Sequence, residues 1–209
     1  MQLILATRNA HKTREIRRIL GSAFEVNDLS KYSGIPEINE TGESFEENAK
    51  LKAAVVSRHL PGLIVADDSG LEVDALGGAP GIHSARYAGP EANDAKNIEK
   101  LLCELSRVKA AGDQRSARFR CVLALAQRGR ILGTFSGMVE GRIADQPRTP
   151  SGSAPRGSGG FGYDPVFMPE GSDQTFAELS AAGKDRVSHR ARALEKLRAF
   201  LLSGEMRKL

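Results

Sequence analysis

The apolar run from Leu63 to Ala66 lies between a helix signal and two adjacent aspartates. Apolar residues without alternation are typical of a strand that is buried on both faces of a sheet. The preceding segment, 44–60, opens with a capping box, places apolar residues at helical spacing and stops at Pro61-Gly62. A helix that leads directly into an interior strand favours an α/β fold.

The remaining segments extend this pattern. The predicted elements are a strand at 2–7, a helix ending near Gly21, a helix at 93–107, strands at 115–127 and 131–141, and a closing helix at 188–202. Alternating strands and helices followed by adjacent strands predict a mixed sheet. No repeat and no interdomain linker are evident, so we interpret 1–209 as a single domain with a mobile loop at about 145–159.

Composition restricts the class of protein. Cys103 and Cys121 have no metal-type spacing and are interpreted as two reduced, buried thiols of a cytoplasmic protein. The run from Leu3 to Ala6 is too short for a signal peptide, and nothing approaches a membrane span. A net charge of +4 mildly favours an anionic partner, either nucleic acid or phosphates, but with no Trp and 5% aromatic residues there is no evident stacking platform for single-stranded nucleic acid.

Asp67 and Asp68 follow the apolar run and precede Ser69-Gly70. In open α/β sheets, ligands bind beyond the carboxyl ends of strands. Carboxylates at that position can hold Mg²⁺, which takes one or two protein oxygens together with water and substrate phosphates. The alternative is structural, with Asp67 capping a turn and Asp68 facing solvent.

The strand-to-helix turn from Thr7 to Lys12 is a second candidate site. Backbone N–H groups at the start of a helix favour an anion, and Lys12 adds a full positive charge. The alternative is ordinary capping of the helix by Asn9 beside a solvated lysine. The turn lacks the GxxxxGK(S/T) spacing of a Walker loop, so by itself it is a weak signal for phosphate binding.

Aromatic and basic residues near the C-terminus form a third group. Phe161 or Tyr163 would either stack on a base or belong to the core. Lys184, His189 and Arg190 are either a solvated helix start or a corner that recognises a base or phosphate.

Five blocks in order resemble the inosine triphosphate pyrophosphatase family, which hydrolyses non-standard purine nucleoside triphosphates such as ITP, dITP and XTP. The blocks are LATRNAHKTREI, ETGESFEENAKLKA, ADDSGLEVDALGGAPGIHSARYAG, GFGYDPVF and TFAELSAAGKDRVSHRARAL. The resemblance implies an elongated mixed sheet flanked by helices, two lobes around a nucleotide-binding cleft, a homodimer and a requirement for Mg²⁺. The run RTPSGSAPRG is longer than is usual in the family, which affects the expected rim of the cleft.

The resemblance also implies a role for individual residues. Asp68 would be catalytic, and Glu40, Asp67 and Asp68 would hold the metal. The substrate would contact Thr7, Arg8, Asn9, Ala10, His11, Lys12, Lys52, Ser69, Phe161, Gly162, Tyr163, Asp164, Lys184, His189 and Arg190.

These roles imply a mechanism. Water activated by Asp68 or by Mg²⁺ would attack the α-phosphorus in line, and pyrophosphate would leave beside Lys12 and Lys52. Donors near His189 and Arg190 would face O6 of the base and reject adenine. The rival functions are a pyrophosphatase for modified pyrimidine or 7-methylated nucleotides, a non-catalytic nucleotide or RNA sensor, and a plain nucleic-acid-binding protein.

Overall fold

Six strands form one mixed sheet in the order β2-β1-β3-β4-β5-β6. The computed structural model describes residues 1–144, 157 and 159–203. The strands are β1 (Gln2–Leu5), β2 (Glu25–Asp28), β3 (Leu63–Val73), β4 (Ser116–Gln127), β5 (Arg130–Ile143) and β6 (Phe167–Pro169). The helices are α1 (Ala10–Leu20), α2 (Phe45–His59), α3 (Asp94–Arg107), α4 (Ala181–Val187) and α5 (His189–Leu202). The predicted α/β fold with a mixed sheet is therefore confirmed.

The chain divides into two compact units, each formed from separated segments. The first contains 1–69, 121–137 and the described residues from 189 onward, and the second contains the described residues of 70–120 and 138–188. Most of the predicted loop at 145–159 lies outside the described residues. Within the described ranges, no helix combines the length and the apolar character needed to cross a membrane.

The first unit has an α/β core. β1 pairs in parallel with β2 and, through Leu3 to Leu5, with Leu63 to Val65 of β3. α1 connects β1 to β2, and its buried residues Ile16 and Leu20 pack on the sheet. α5 adds further apolar residues, and the leucine and isoleucine residues of this core that are at most 1% exposed are Leu3, Leu5, Ile16, Leu123, Leu125, Leu194 and Leu197.

The second unit has a separate core in which aromatic rings pack together. The Phe119 and Phe167 ring centroids lie 4.7 Å apart at 64°, an edge-to-face arrangement. Phe176 stacks on Phe119 at 5.9 Å. α3 contributes Leu101 and Leu105, which are fully buried.

β3 differs from the prediction at the two aspartates. The sequence predicts that this strand ends at Asp67 and Asp68. That prediction is wrong, because β3 continues to Val73. Its neighbour β1 ends at Leu5, opposite Val65, while β4 lies on the other side of β3. The aspartates therefore lie just beyond the carboxyl end of β1 although their own strand continues.

Two further predictions need correction. Cys103 is exposed, and only Cys121 is buried as predicted. The segment between α1 and Glu40 contains β2, which the sequence pattern missed because Glu25-Val26-Asn27-Asp28 is mostly polar. By contrast, the predicted turn between β4 and β5 is present, with Arg128 and Gly129 both at positive φ as in a tight hairpin.

Candidate active site

The turn from Thr7 to Lys12 is organised by Asn9. The Asn9 side-chain oxygen accepts hydrogen bonds from the backbone N–H groups of His11 at 2.9 Å and Lys12 at 3.1 Å. The Thr7 hydroxyl accepts one from the Asn9 N–H at 3.0 Å. Arg8 donates to the Ile35 carbonyl at 3.0 Å. Asn9 therefore caps α1, and an anion at this helix end would share those N–H groups with its side chain.

Asp67 lies at the centre of a buried network of charges in the first unit. Its Oδ1 accepts from the Lys12 ammonium and from the Ser69 hydroxyl, the latter at 2.9 Å. Its Oδ2 accepts from Arg190 Nε at 2.8 Å, and the Cys121 Sγ lies 3.4 Å from the same oxygen. Both oxygens of this carboxylate are thus engaged by cations and hydroxyl or thiol groups.

Arg190 is the second member of this network and is only 1% exposed. Besides Asp67, its guanidinium binds the Glu15 carboxylate and donates to the Ser69 hydroxyl at 2.9 Å. Burial alone would raise the pKa of Asp67, but Arg190 and Lys12 hold that pKa well below its usual range. Two cations and two carboxylates therefore balance each other in this network.

Asp68 faces a different environment, although it is adjacent in sequence. Lys52 Nζ donates to Asp68 Oδ1 at 2.6 Å, to Glu40 Oε1 at 2.7 Å and to the Asp67 carbonyl at 2.9 Å. Burial raises the pKa of Asp68, and the attraction of Lys52 only partly opposes this effect. Two carboxylates thus share the Lys52 ammonium, and Lys12 adds a weaker attraction to Asp68.

The segment that carries Glu40 is attached to α2 by a residue that the sequence analysis did not assign to the site. Asn48 is fully buried, and its Oδ1 accepts from the Gly42 N–H at 2.8 Å. A Cβ on Gly42 would lie 2.7 Å from the Glu47 Cβ, so only glycine permits this close approach. The available signal was that Asn48 precedes Lys52 by four residues and therefore shares its helix face.

In the second unit, Asp164 organises the loop from Phe161 to Asp164. Its Oδ2 accepts from the Phe161 N–H at 2.8 Å and from the Lys184 ammonium at 2.6 Å. Lys184 is 4% exposed, and its Nζ lies 5.1 Å from the centre of the Phe161 ring. This arrangement joins a buried ion pair to an aromatic ring that is partly accessible.

Tyr163 has a structural environment. It is 4% exposed, belongs to the aromatic core, and donates its hydroxyl hydrogen to the Ser84 carbonyl at 2.9 Å. Burial raises the pKa of this phenol. Of the two aromatic residues for which the sequence left stacking or core packing open, Tyr163 packs in the core and Phe161 is only partly buried.

The predicted basic corner is divided between the units. Lys184 belongs to the second unit, whereas His189 and Arg190 begin α5 in the first. His189 is 4% exposed, and a Cβ on Gly137 would lie 2.1 Å from its carbonyl oxygen, so β5 packs directly on this end of α5. Arg190 faces Asp67, Glu15 and Ser69, which are protein groups of its own unit.

Two residues of the charge network were missed by the sequence analysis. Glu15 lies in α1 and is 5% exposed, and Cys121 lies in β4 and is fully buried. Neither belongs to a local motif that could have shown its partner. Glu15 and Arg190 are 175 residues apart along the chain, so only the fold brings them together.

Comparisons with known proteins complete the description. A sequence model of the Ham1 family matches residues 3–200. The chain is 49% identical to the dITP/XTP pyrophosphatase of Bacillus licheniformis, over 96% of this chain and 97% of that protein. It is similar to the structure of a HAM1 protein from Coxiella burnetii, with a TM-score of 0.81, 38% identity, and coverage of 96% and 98% of the two chains. The Staphylococcus aureus Ham1 protein gives a TM-score of 0.79 at 39% identity, covering 96% of this chain and 98% of its own.

Proposed function

Because the chain belongs to the Ham1 family, we propose that it hydrolyses non-canonical purine nucleoside triphosphates of the dITP and XTP type to the monophosphate and pyrophosphate. The match to the Ham1 family confirms the family relationship that the five sequence blocks predicted. The dITP/XTP pyrophosphatase of B. licheniformis matches this chain over nearly the whole length of both proteins. The observation that carries it is the cluster of Glu40, Asp68 and Lys52 beside the Lys12–Asp67 pair.

Glu40 and Asp68 fit a divalent cation. Both place a carboxylate oxygen within 2.7 Å of the same Lys52 nitrogen, so the two oxygens already converge on one positive charge. The described residues contain no group of three His, Cys, Asp or Glu side chains suited to a metal. Mg²⁺ does not need such a group, because one or two carboxylates with water and phosphate oxygens suffice. When bound, Mg²⁺ would neutralise phosphate charge and polarise the phosphorus centre.

Asp67 is a poorer ligand than the sequence analysis expected. Both of its oxygens accept hydrogen bonds from Lys12, Ser69 and Arg190. A metal ion there would have to displace Lys12 or Arg190 from a carboxylate whose pKa these two cations already depress. We therefore assign the metal to Glu40 and Asp68, and assign Asp67 the positioning of Lys12 and Ser69.

Asp68 is the proposed general base. Burial raises its pKa and so makes its carboxylate a stronger proton acceptor than an exposed aspartate. Water would attack the α-phosphorus, its proton would pass to Asp68, and the bond from that phosphorus to the bridging oxygen would break. Lys12 and Lys52 would attract the leaving pyrophosphate.

Arg190 receives a different role from the one predicted. Its three nitrogen atoms already donate to Asp67, Glu15 and Ser69, so we propose that it holds the strand residues beside Asp68. Phe161 and the loop around it remain the proposed nucleoside site. His189 keeps its predicted part in recognition of the 6-oxo group.

Release of pyrophosphate from dITP, XTP, GTP, ATP and dTTP, with Mg²⁺ and with EDTA, tests this function. We expect Mg²⁺-dependent release from dITP and XTP, with rates on GTP and ATP lower by a factor on the order of 10² or more. Rapid hydrolysis of dTTP with dITP inert would instead support the pyrimidine rival, and binding without turnover would support the sensor. The nucleic-acid rival is weakened because Arg118 and Arg120 are paired with Asp74, Glu140 and Glu72.

The oligomeric state and the cellular location of the protein are proposed from the family relationship. We propose a homodimer, to be tested by light scattering. We also propose a cytoplasmic enzyme, since its substrates belong to the nucleotide pool.

A further inference from the structure

A carboxylate from α3 is bonded to the backbone of the loop that contains Phe161. The Gly162 N–H donates to Asp94 Oδ2 at 2.6 Å, between residues 68 positions apart in the sequence. Asp94 is the first residue of α3 and is exposed. None of the roles that the sequence or the family relationship suggested involves it.

The two adjacent N–H groups of this loop are therefore both bonded to carboxylates. Phe161 N–H donates to Asp164, which belongs to the loop itself, whereas Gly162 N–H donates to Asp94, which lies outside it. Gly162 has φ +63°, a conformation that L-residues rarely adopt. The bond from its N–H to the ionised Asp94 carboxylate is of the charge-assisted kind, which is stronger than a bond between neutral groups.

The position of the Phe161 ring depends on this backbone. Its ring lies 5.1 Å from the Lys184 ammonium, which is itself bonded to Asp164. Asp164 can hold the inner side of the loop, but the peptide that follows Phe161 is held by Asp94. Loss of this second bond would leave the ring with fewer constraints.

We propose that Asp94 is a positioning residue for nucleoside binding, which acts by fixing the loop that presents Phe161. This inference rests on the proposed function of the loop. The chemical step is assigned to Asp68, Lys52 and Glu40, whereas the bond of Asp94 is to the backbone of the loop that presents Phe161. Removal of the Asp94 carboxylate therefore affects substrate binding and not turnover.

The test compares Asp94→Ala and Asp94→Asn with the wild type. Ordering a loop on binding weakens affinity, so we expect KM for dITP to rise about 5- to 10-fold in Asp94→Ala with kcat within about 2-fold. Asparagine retains an oxygen that accepts from Gly162 N–H, so Asp94→Asn should restore KM to within about 2- to 3-fold of the wild type.

Asn93→Ala is the matched control. Asn93 caps the same helix end by accepting from the Lys96 N–H at 3.0 Å, so its loss lowers the melting temperature without affecting the bond to Gly162. We expect an unchanged KM in this variant. An unchanged KM in Asp94→Ala, or an equal rise in Asn93→Ala, would overturn the inference.

Calorimetric binding of dITP in EDTA separates this inference from the proposed function. If the wild type releases no pyrophosphate from dITP in the presence of Mg²⁺ but binds dITP in EDTA, the proposed hydrolysis fails while the comparison of Kd values still tests Asp94. Equal Kd values in Asp94→Ala and the wild type would then reject the positioning role.

Discussion

Lys52 in the first unit and Lys184 in the second are both buried lysines bonded to aspartate, but their surroundings differ in charge. Lys52 donates to two carboxylates, Glu40 and Asp68, whereas Lys184 has Asp164 and two phenylalanine rings around it. A charge buried in protein needs a partner, and a balanced pair is complete by itself. The two carboxylates that converge on Lys52 therefore suit a further cation, whereas the ion pair at Lys184 lies beside aromatic rings, which suit an uncharged, aromatic ligand group.

The largest expected effect concerns Asp68. Asp68→Asn should lower kcat by about 10³- to 10⁴-fold, because the amide cannot accept the proton from water. Stability should be unchanged or slightly higher, since burial disfavours the charged form of this carboxyl. Steady-state kinetics at saturating Mg²⁺ and urea unfolding measure the two effects.

Asp74→Asn is the control for that variant. Asp74 is a partly exposed carboxylate of the second unit, bonded to Arg118 at 2.8 Å. It should keep the wild-type kcat. Turnover that survives in Asp68→Asn would refute the assignment of the base.

The buried ion pair of Lys184 and Asp164 should contribute strongly to the stability of the protein. Lys184→Met leaves Asp164 buried without its ammonium partner, which we expect to destabilise the protein by about 3–5 kcal/mol. Urea unfolding measures the change. Lys100→Met, an exposed lysine of the same unit that donates to the Tyr87 carbonyl, should cost less than about 1 kcal/mol. Equal costs in the two variants would contradict the comparison.

Asp67 provides a pH test within the first unit. Asp67→Asn removes the anion between Lys12 and Arg190, so we expect a loss of about 3 kcal/mol at pH 7, measured in EDTA. The pKa of Asp67 is depressed in the folded state, so its contribution is complete above the ordinary value of 3.8 and is lost as pH falls below it. The difference in the free energy of unfolding between Asp67→Asn and the wild type should therefore be smaller at pH 3.5 than at pH 7. A constant difference would show that charge is not the cause.

The smallest expected effect distinguishes the two lysines by their response to Mg²⁺. Lys52→Met leaves Glu40 and Asp68 without their shared ammonium, so saturating Mg²⁺ should raise the melting temperature by about 3 °C more than in the wild type. Lys184→Met should show no such gain. A similar shift in both variants would indicate non-specific binding of the ion.

The local elements were predictable because their signals are local. Ser44 accepts from the Glu47 N–H at 3.2 Å, and α2 begins at Phe45 as the capping box indicated. Gly21 ends α1 at positive φ. The extent of β3 was not predictable, because β3 continues to Val73 beyond the point where its neighbour β1 stops, and strand pairing is non-local.

The site shows the same division. Asp68, Lys52 and Arg190 were assigned to the site from sequence motifs, but the pairing of Asp67 with Arg190 and Cys121 was not predicted, since those residues come from elements far along the chain. Asp94 gave no signal either, because its role depends on one bond to a distant backbone N–H.

The sequence by itself determined the fold class, the family and the positions where chemistry is concentrated. Those features follow from periodicity, caps and residue order, which act over a few neighbouring residues. Only the tertiary structure decided that Asp67 lies between Arg190 and Lys12, which depress its pKa, and that the pKa of Asp68 is raised by burial beside Lys52 and Glu40. The reason is that a carboxylate in a buried site takes its properties from the charges that the fold places around it.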